Sequence, residues 1–489
     1  MPETRSGPIS RREFAVLVAL LVLAVIARAI GLGGGLWIDE IIALVRSYRE
    51  PLLMQFTVFQ GDFHHTLYSV LARISLVLFG DSAWAIRLPA LLFGAATIPL
   101  AYVLGREVMG ERDAWLTAGL LTVFTPHVWF SQNARGYSML AFWSTLATLY
   151  LVRYLRSQEK RRPAWGYAVV AALGVFTHLT MTFLVVGHAT VCFVEAFRAK
   201  WKWPRIAATG LTFALAAGFT LILYAPMLTQ VLDFFLNRPS GFVGVSTPLW
   251  ALFESIRVIQ QGLGAGTLVG VLGAAALFGL GVLSYARRAP LVLALFLVPG
   301  MVTVIGAAIA RGTMYPRFFF FMVVFLVLIL IRGTLVFGDW LGDRMMSRRP
   351  ISRSLGPAIV GLMMVASVAG LVGYTYRYPK QDYKGAIAFV ESRAGEADTI
   401  GTTGAGAWPL LEFHERPYQH IETVADLERS RSSGGRMWMV FTFPRYIENE
   451  APEIMTAIDD ECVHEAVFPG TIGGGDLIVC SFPPISSDG

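Results

Sequence analysis

The sequence predicts a mainly α-helical, polytopic membrane protein of about eleven spans, with a small α/β domain at its C-terminal end. Three observations predict it. The 489 residues are 55% hydrophobic and only 15% charged, with a mean hydropathy of +0.57, whereas a soluble globular chain carries about 25% charged residues. Apolar runs of roughly 18–20 residues recur along most of the length, each long enough to cross a hydrocarbon core. The charge also changes sign along the chain. Residues 1–374 carry 31 Lys and Arg against 16 Asp and Glu, and residues 375–489 carry 9 against 18. The net charge of +6 therefore averages a basic membrane domain, 1–374, and an acidic domain, 375–489. The basic excess fits membrane orientation. No basic-aromatic stripe suited to nucleic acid is present, so no such partner is expected.

The expected span cores are 14–32, 88–105, 114–131, 137–152, 164–178, 180–197, 206–225, 264–284, 290–310, 316–333 and 355–374. The first lacks a small-residue cleavage site and reads as a retained span. Six alternate gaps, among them "RYLRSQEKRR" and "RAKWKWPR", hold 21 basic residues, and the other gaps hold 10. Cytoplasmic loops collect Lys and Arg, which makes the N-terminus cytoplasmic. An odd span count then places residues 375–489 outside, and with them the acidic pair Asp39-Glu40.

The first outer gap reads as two surface helices. "DEIIALVRSYREPLLMQF" is amphipathic, with Ile41, Leu44 and Val45 at helical spacing. "HHTLYSVLARISLVLF" is apolar enough to lie in the interface. In the tail, "DTIGTTG", "MWMVFTF", "CVHEAVF" and "DLIVCSF" read as strands. "YKGAIAFVESRAG" and "PEIMTAIDDE" read as helices. The glycine-rich "GTTGAGAW" and "GTIGGGD" do not match a phosphate-binding loop and read as turns. Cys192 lies in a span. Cys462 and Cys480 would pair only if their strands do, which spacing leaves open.

The stretch "GLWIDEIIAL" (35–44) raises the chemical question, since it sets two carboxylates beside a span. The other ionisable residues expected on that face are Asp62, His64, His65, Asp81, Arg28, Arg87, Arg135, His178, Arg311 and Arg317. Charge near membrane depth is costly, so these are functional candidates. Guanidinium groups suit phosphate recognition, being permanently charged and bidentate. A carboxylate suits removal of a proton from an acceptor hydroxyl. Fixed cations stabilise a leaving phosphate as it gains charge. The pattern therefore points to glycosyl transfer from a lipid-phosphate sugar. Each residue also has a plainer reading. Asp39 can cap a surface helix, Arg87 can snorkel, and Arg135 beside Tyr137 can anchor the interface. The pair His64-His65 could bind a metal, although no carboxylate stands at a convincing spacing.

Several stretches together resemble the GT-C superfamily of polyprenyl-phosphate-sugar-dependent membrane glycosyltransferases, in particular bacterial relatives of the protein O-mannosyltransferases and the lipid A aminoarabinose transferase. They are "ARAIGLGGGLWIDE", "DFHHTLYSVLA", "AIRLPALLFGAATIPLAYVLGREVMG", "SQNARGYSML", "THLTMTFL" and "YPRFFFF". A weaker echo, "YPKQDYKGAIAFV", opens the tail. The resemblance implies that Asp39 is the base for inverting transfer and that Glu40 supports it. It implies donor-phosphate contacts from Arg135 and Arg317, with Arg311 and Arg28 as further candidates. His64, His65, Tyr68, Tyr137 and His178 would line the cavity. It further implies a polyprenyl-phosphate-sugar donor, a lipid, glycan or protein acceptor, and contact with membrane lipids in a bacterial inner membrane. No cofactor is required, and a divalent metal is not excluded. His65-Thr66 stand where the family has paired prolines, and Phe318 stands where it has tyrosine. Two other readings stay open. One is a transporter or lipid flippase, although no internal repeat of the kind such proteins show is visible. The other is an oligosaccharide transferase with a pyrophosphate donor, which would need a metal.

Overall fold

The computed structural model describes residues 7–61, 64–157, 162–237, 267–309, 315–345, 354–432 and 434–484. They form two compact units. One holds residues 1–32, 51–81 and 85–371, and the other holds 33–50, 82–84 and 372–489.

The first unit is a helix bundle. Its helices are α1 (Arg11–Ala29), α3 (Met54–Thr57), α4 (Thr66–Phe79), α5 (Ala83–Val108), α6 (Glu111–Val123), α7 (Thr125–Ser131), α8 (Tyr137–Arg156), α9 (Trp165–Thr177), α10 (Met181–Arg198), α11 (Trp203–Tyr224), α12 (Leu228–Leu236), α13 (Thr267–Arg288), α14 (Pro290–Ile309), α15 (Val323–Met345) and α16 (Leu355–Gly370). Helix stands at every expected span core. Seven of these segments are long and apolar enough to cross a membrane by length and composition. The others are shorter or more polar. Helix α9 has 13 residues, roughly 20 Å at 1.5 Å per residue, against a hydrocarbon core of about 30 Å. The expected third span is broken between α6 and α7. Phe124 is extended there and Pro126 follows, so the i→i−4 ladder cannot run through. The freed Thr125 N–H donates to Ser367 Oγ of α16 at 2.9 Å.

Small residues let the bundle close. A methyl group at Gly281 of α13 would strike the Ile329 carbonyl of α15, and one at Gly333 of α15 would strike the Leu277 carbonyl of α13. These helices meet backbone to backbone, as membrane helices do where dispersion replaces the hydrophobic drive. Rings fill wider gaps: Phe296 stacks on Phe325 with centroids 4.8 Å apart. Polar ties lie at one set of helix ends. Arg112 holds both oxygens of Asp339 at 2.9 Å, and Arg332 lies 3.5 Å from Asp113.

The second unit is a five-stranded sheet in the order β2-β1-β3-β5-β4, formed by β1 (Thr399–Thr402), β2 (Gln419–His420), β3 (Met437–Phe441), β4 (Val463–Phe468) and β5 (Leu477–Phe482). Its helices are α2 (Ile38–Ala43), α17 (Tyr383–Glu391), α18 (Val424–Arg431), α19 (Pro444–Glu450) and α20 (Pro452–Glu461). β1 runs parallel to β2 and β3, and β5 runs antiparallel to β3 and β4. Strand alternation divides the core in two. Met437, Met439 and Phe441 pack with Leu427, Ile447, Ile454 and Ile458 on one face. Trp438 and Val440 pack with Tyr383, Val390, Leu477 and Val479 on the other. Cys462 and Cys480 form a disulfide with Cα atoms 5.6 Å apart.

Two details differ from expectation. The single helix expected over 39–56 is three pieces. Helix α2 passes into a π-turn, Leu44–Tyr48, and stops before Pro51, and α3 begins at Met54. Proline disfavours helix in the residue before it and lacks the N–H to continue. The second difference is that α2 belongs to the sheet unit, where Ile41 is fully buried among Tyr383, Val390 and Leu477.

Candidate active site

The acidic pair sits at the start of α2. Trp37 is the N-cap, which puts Asp39 at the second helical position and Glu40 at the third. A glutamate at the third position reaches back to the cap, and here Glu40 Oε2 accepts from the Trp37 N–H at 3.4 Å. The capping role considered for Asp39 is thus filled by its neighbour. Asp39 is 7% exposed and Glu40 is fully buried. A buried carboxylate needs a partner, and Lys380 Nζ lies 3.6 Å from Glu40 Oε1. The Ile38 N–H, unsatisfied within a first helical turn, donates to Gln381 Oε1 at 2.9 Å. Gln381 Nε2 in turn donates to Thr442 Oγ1 at 3.3 Å and to the Gly475 carbonyl at 3.2 Å. Tyr383 lies close enough that burial and, second, the Asp39 charge push its phenol above the ordinary range.

The bundle unit holds a separate cationic and aromatic cluster, built from chain segments at helix ends. His65 is the N-cap of α4, Arg135 and Gly136 precede α8, and His178 is the C-cap of α9. Arg317 lies in the 3-10 turn Pro316–Met322, its guanidinium 4.4 Å from the Tyr315 ring centroid. The His65 and His178 rings are 4.4 Å apart, and Tyr137 stands 5.2 Å from the first and 5.4 Å from the second.

Hydrogen bonds fix the protons of this cluster. His65 Nδ1 accepts the Gly136 N–H at 2.8 Å. Burial first, then the charges of Arg135 and its neighbours, holds His65 well below the ordinary histidine range, so the ring is neutral. Its one proton must then sit on Nε2, and Nε2 lies 3.2 Å from a guanidinium nitrogen of Arg135. Two N–H donors therefore stand side by side. His178 Nδ1 accepts from the Thr180 N–H at 3.2 Å, which leaves its proton on Nε2 as well. His64 is 6% exposed, and neither of its ring nitrogens has a hydrogen-bond partner among the described residues. Burial, then Arg135, lowers its pKa to about 4. The cluster thus gathers N–H donors among buried aromatic rings.

The other candidates have different surroundings. Arg28 is fully buried, and its guanidinium donates to the carbonyls of Ala24, Thr122 and Leu121 at 3.0, 3.1 and 3.2 Å and lies 2.7 Å from His127 Nδ1. The Tyr68 hydroxyl donates to the Ile86 carbonyl at 2.7 Å, and Arg87 donates to the Leu32 carbonyl at 2.8 Å. Arg311 and Asp62 lie outside the described residues. Among the described residues, no group of three or more His, Cys, Asp and Glu side chains could hold a metal ion. Sequence reasoning missed Gly136, Thr180, Lys380 and Gln381. The last two stand in "YPKQDYKG", and nothing local marks them as partners of a helix some 340 residues earlier.

The fold is similar to that of two solved membrane proteins of the GT-C type, ArnT and AglB, as the resemblance implied. Residues 64–229 match the family model of the dolichyl-phosphate-mannose-protein mannosyltransferases. The structure is similar to that of ArnT from Cupriavidus metallidurans bound to undecaprenyl phosphate, with a TM-score of 0.53 at 12% identity, covering 98% of this chain and 99% of that one. It is also similar to the archaeal oligosaccharyltransferase AglB from Archaeoglobus fulgidus in complex with an inhibitory peptide and a dolichol-phosphate, with a TM-score of 0.52 at 14% identity, covering 98% of this chain and 75% of that one. A different similarity, at 28% identity over 198 residues, is to the Na(+)/H(+) antiporter NhaA of Gluconacetobacter diazotrophicus. That match spans 38% of this chain and 45% of the antiporter, less than half of its length.

Proposed function

We propose that this chain is an inverting glycosyltransferase of the bacterial inner membrane. It would move a monosaccharide from a polyprenyl-phosphate donor to a hydroxyl of a lipid, glycan or protein acceptor on the extracytoplasmic face. The observation that carries the reading is the pair of buried N–H donors, His65 Nε2 and a guanidinium nitrogen of Arg135, 3.2 Å apart. A phosphate oxygen would accept from both, and Arg317 would add charge.

In the reaction, Asp39 removes the proton from the acceptor hydroxyl. The freed oxygen pair attacks the anomeric carbon from the face opposite the phosphate. The bond from that carbon to the phosphate oxygen breaks, and its electron pair leaves on the phosphate. One displacement inverts the anomeric centre. The leaving phosphate gains charge, so donors already in place for an anion stabilise the transition state more than the ground state. Glu40, held by Lys380, keeps its own charge occupied beside Asp39.

The test uses purified protein in lipid with a panel of labelled polyprenyl-phosphate sugars and an envelope extract as acceptor, reading release of polyprenyl phosphate. One donor should turn over, and Asp39→Asn should lose at least about a hundredfold, the lower range for a general base. Transfer at the wild-type rate by folded Asp39→Asn would overturn the assignment.

A further inference from the structure

We infer that Lys380 and Gln381 are positioning residues for the acidic pair, so that the C-terminal domain is part of the catalytic apparatus rather than a separable acceptor-reading module. The inference rests on the proposed role of Asp39.

The argument starts from where α2 is seated. Residues 33–50 cluster with 372–489 and not with the rest of the N-terminal chain. Ile41, one turn from Ile38, is buried in the core built on α17, β3 and β5. A helix of six residues cannot hold itself in water, because nucleation costs more than so few bonds return. Its orientation must come from outside.

Gln381 supplies the orientation. Its Oε1 takes the Ile38 N–H at 2.9 Å, while its Nε2 is tied to Thr442 and Gly475, which follow and precede β3 and β5. The amide thus links the first turn of α2 to the rim of the sheet, and Tyr383 steadies Oε1 from 3.4 Å. Lys380 supplies the counter-charge. Glu40 is fully buried and its neighbour Asp39 nearly so. Two adjacent carboxylates out of water repel unless one is compensated. The ammonium 3.6 Å from Glu40, itself 8% exposed, compensates the Glu40 carboxylate and holds it in place. Arg46, in the turn after α2, is directed elsewhere, 5.7 Å from the Trp408 ring. The backbone carries both positioning residues on consecutive positions, so one segment sets the direction and the charge of the pair.

The test is made on the full chain in lipid with the donor that turns over. Lys380→Met and Gln381→Leu should each lower kcat roughly a hundredfold, the effect of about 1 Å of misplacement at a reacting group. The KM for donor and the affinity for polyprenyl phosphate should stay near wild type, because the anion cluster lies in the bundle unit. Lys380→Arg should recover most of the rate, since it keeps the cation beside Glu40, whereas Gln381→Glu should not, since it loses the donors to Thr442 and to the Gly475 carbonyl. Hydrogen exchange over residues 37–43 should accelerate in Gln381→Leu while β3 stays protected. Unchanged kcat in folded Lys380→Met, equal losses in Lys380→Arg and Lys380→Met, or a change confined to KM would each overturn the inference. If the methionine and leucine variants do not fold, the inference is read from Lys380→Arg alone: a hundredfold loss of kcat in folded Lys380→Arg would overturn it. Asp39→Asn is assayed alongside. An inactive Asp39→Asn with a fully active Lys380→Met sinks the positioning role alone, and a fully active Asp39→Asn sinks the base and the positioning role together.

Discussion

Replacing His65 by asparagine separates the edge of the imidazole that pairs with the backbone from the edge proposed to bind the anion. The Nδ1 edge accepts the Gly136 N–H at 2.8 Å, and the Nε2 edge faces Arg135 at 3.2 Å. Asparagine Oδ1 can stand near the Nδ1 position and keep the Gly136 bond, but its amide does not reach to where Nε2 was. The buried N–H therefore stays paired, and one donor to the anion is lost. A hydrogen bond to a charged group contributes about 1.5–3 kcal/mol. At about 1.4 kcal/mol per tenfold, that is roughly a 10- to 150-fold weaker affinity for the phosphate headgroup. His65→Leu removes both edges and leaves Gly136 unpaired, which costs about 1–3 kcal/mol of stability besides. Protein in nanodiscs would be titrated with a fluorescent polyprenyl phosphate, with thermal melting measured in parallel. The expected result is weak binding with near-normal melting for asparagine, and weak binding with low melting for leucine. Wild-type affinity in folded His65→Asn would refute the assignment of Nε2 as an anion donor.

Two further predictions follow from the same geometry. Arg28→Lys should lower the melting temperature, because a lysine cannot span the Ala24, Leu121 and Thr122 carbonyls and His127 together; polyprenyl-phosphate affinity should not move, and a loss of affinity at unchanged melting would place Arg28 at the donor instead. His64, its pKa lowered to about 4 by burial and Arg135, binds fewer protons folded than unfolded between about pH 6.5 and 4. Its contribution is complete above pH 6.5 and lost as pH falls toward 4, up to about 3 kcal/mol. Melting of His64→Gln should therefore fall less steeply over that range than melting of the wild type, and parallel curves would show that His64 does not carry the linkage.

The bundle was legible because lipid favours long apolar helices, and seven of the described segments are of that kind. The strands of the tail were legible where burial alternates or is continuous, as in Met437–Phe441. β2 was not, since Gln419 and His420 are both exposed and two residues carry no period. The cysteine pairing needed the register that sets β4 against β5, which spacing does not contain. The arginines show the same limit. Arg28 and Arg135 each stand near the end of a span, and nothing in the sequence tells them apart. Only the fold reveals that carbonyls of α6 surround the first and an imidazole edge faces the second. Likewise the acidic pair was visible as chemistry, but its partners Lys380 and Gln381 are brought to it by tertiary structure alone.

The similarity to an antiporter is best judged by where the carboxylates lie. Cation exchange requires an ionisable group that binds and releases its ion near the middle of the membrane, where such residues mark the ion path. In the described spanning helices of this chain, every Asp and Glu stands within about two turns of a helix end: Glu13 in α1, Glu107 in α5, Glu111 and Asp113 in α6, Glu195 in α10, Asp233 in α12, and Asp339 and Asp343 in α15. Asp113 is further tied to Arg332, and Asp339 to Arg112. Chains rich in Leu, Ala, Val and Gly match one another over a few helices because lipid selects the same residues, whatever the activity. The GT-C likeness runs instead over 98% of the chain. Proteoliposomes loaded with a pH-sensitive dye and given a sodium gradient should therefore show no proton movement above that of empty vesicles. Sodium-dependent alkalinisation that persists in Asp39→Asn would reverse the argument and make the bundle a transporter.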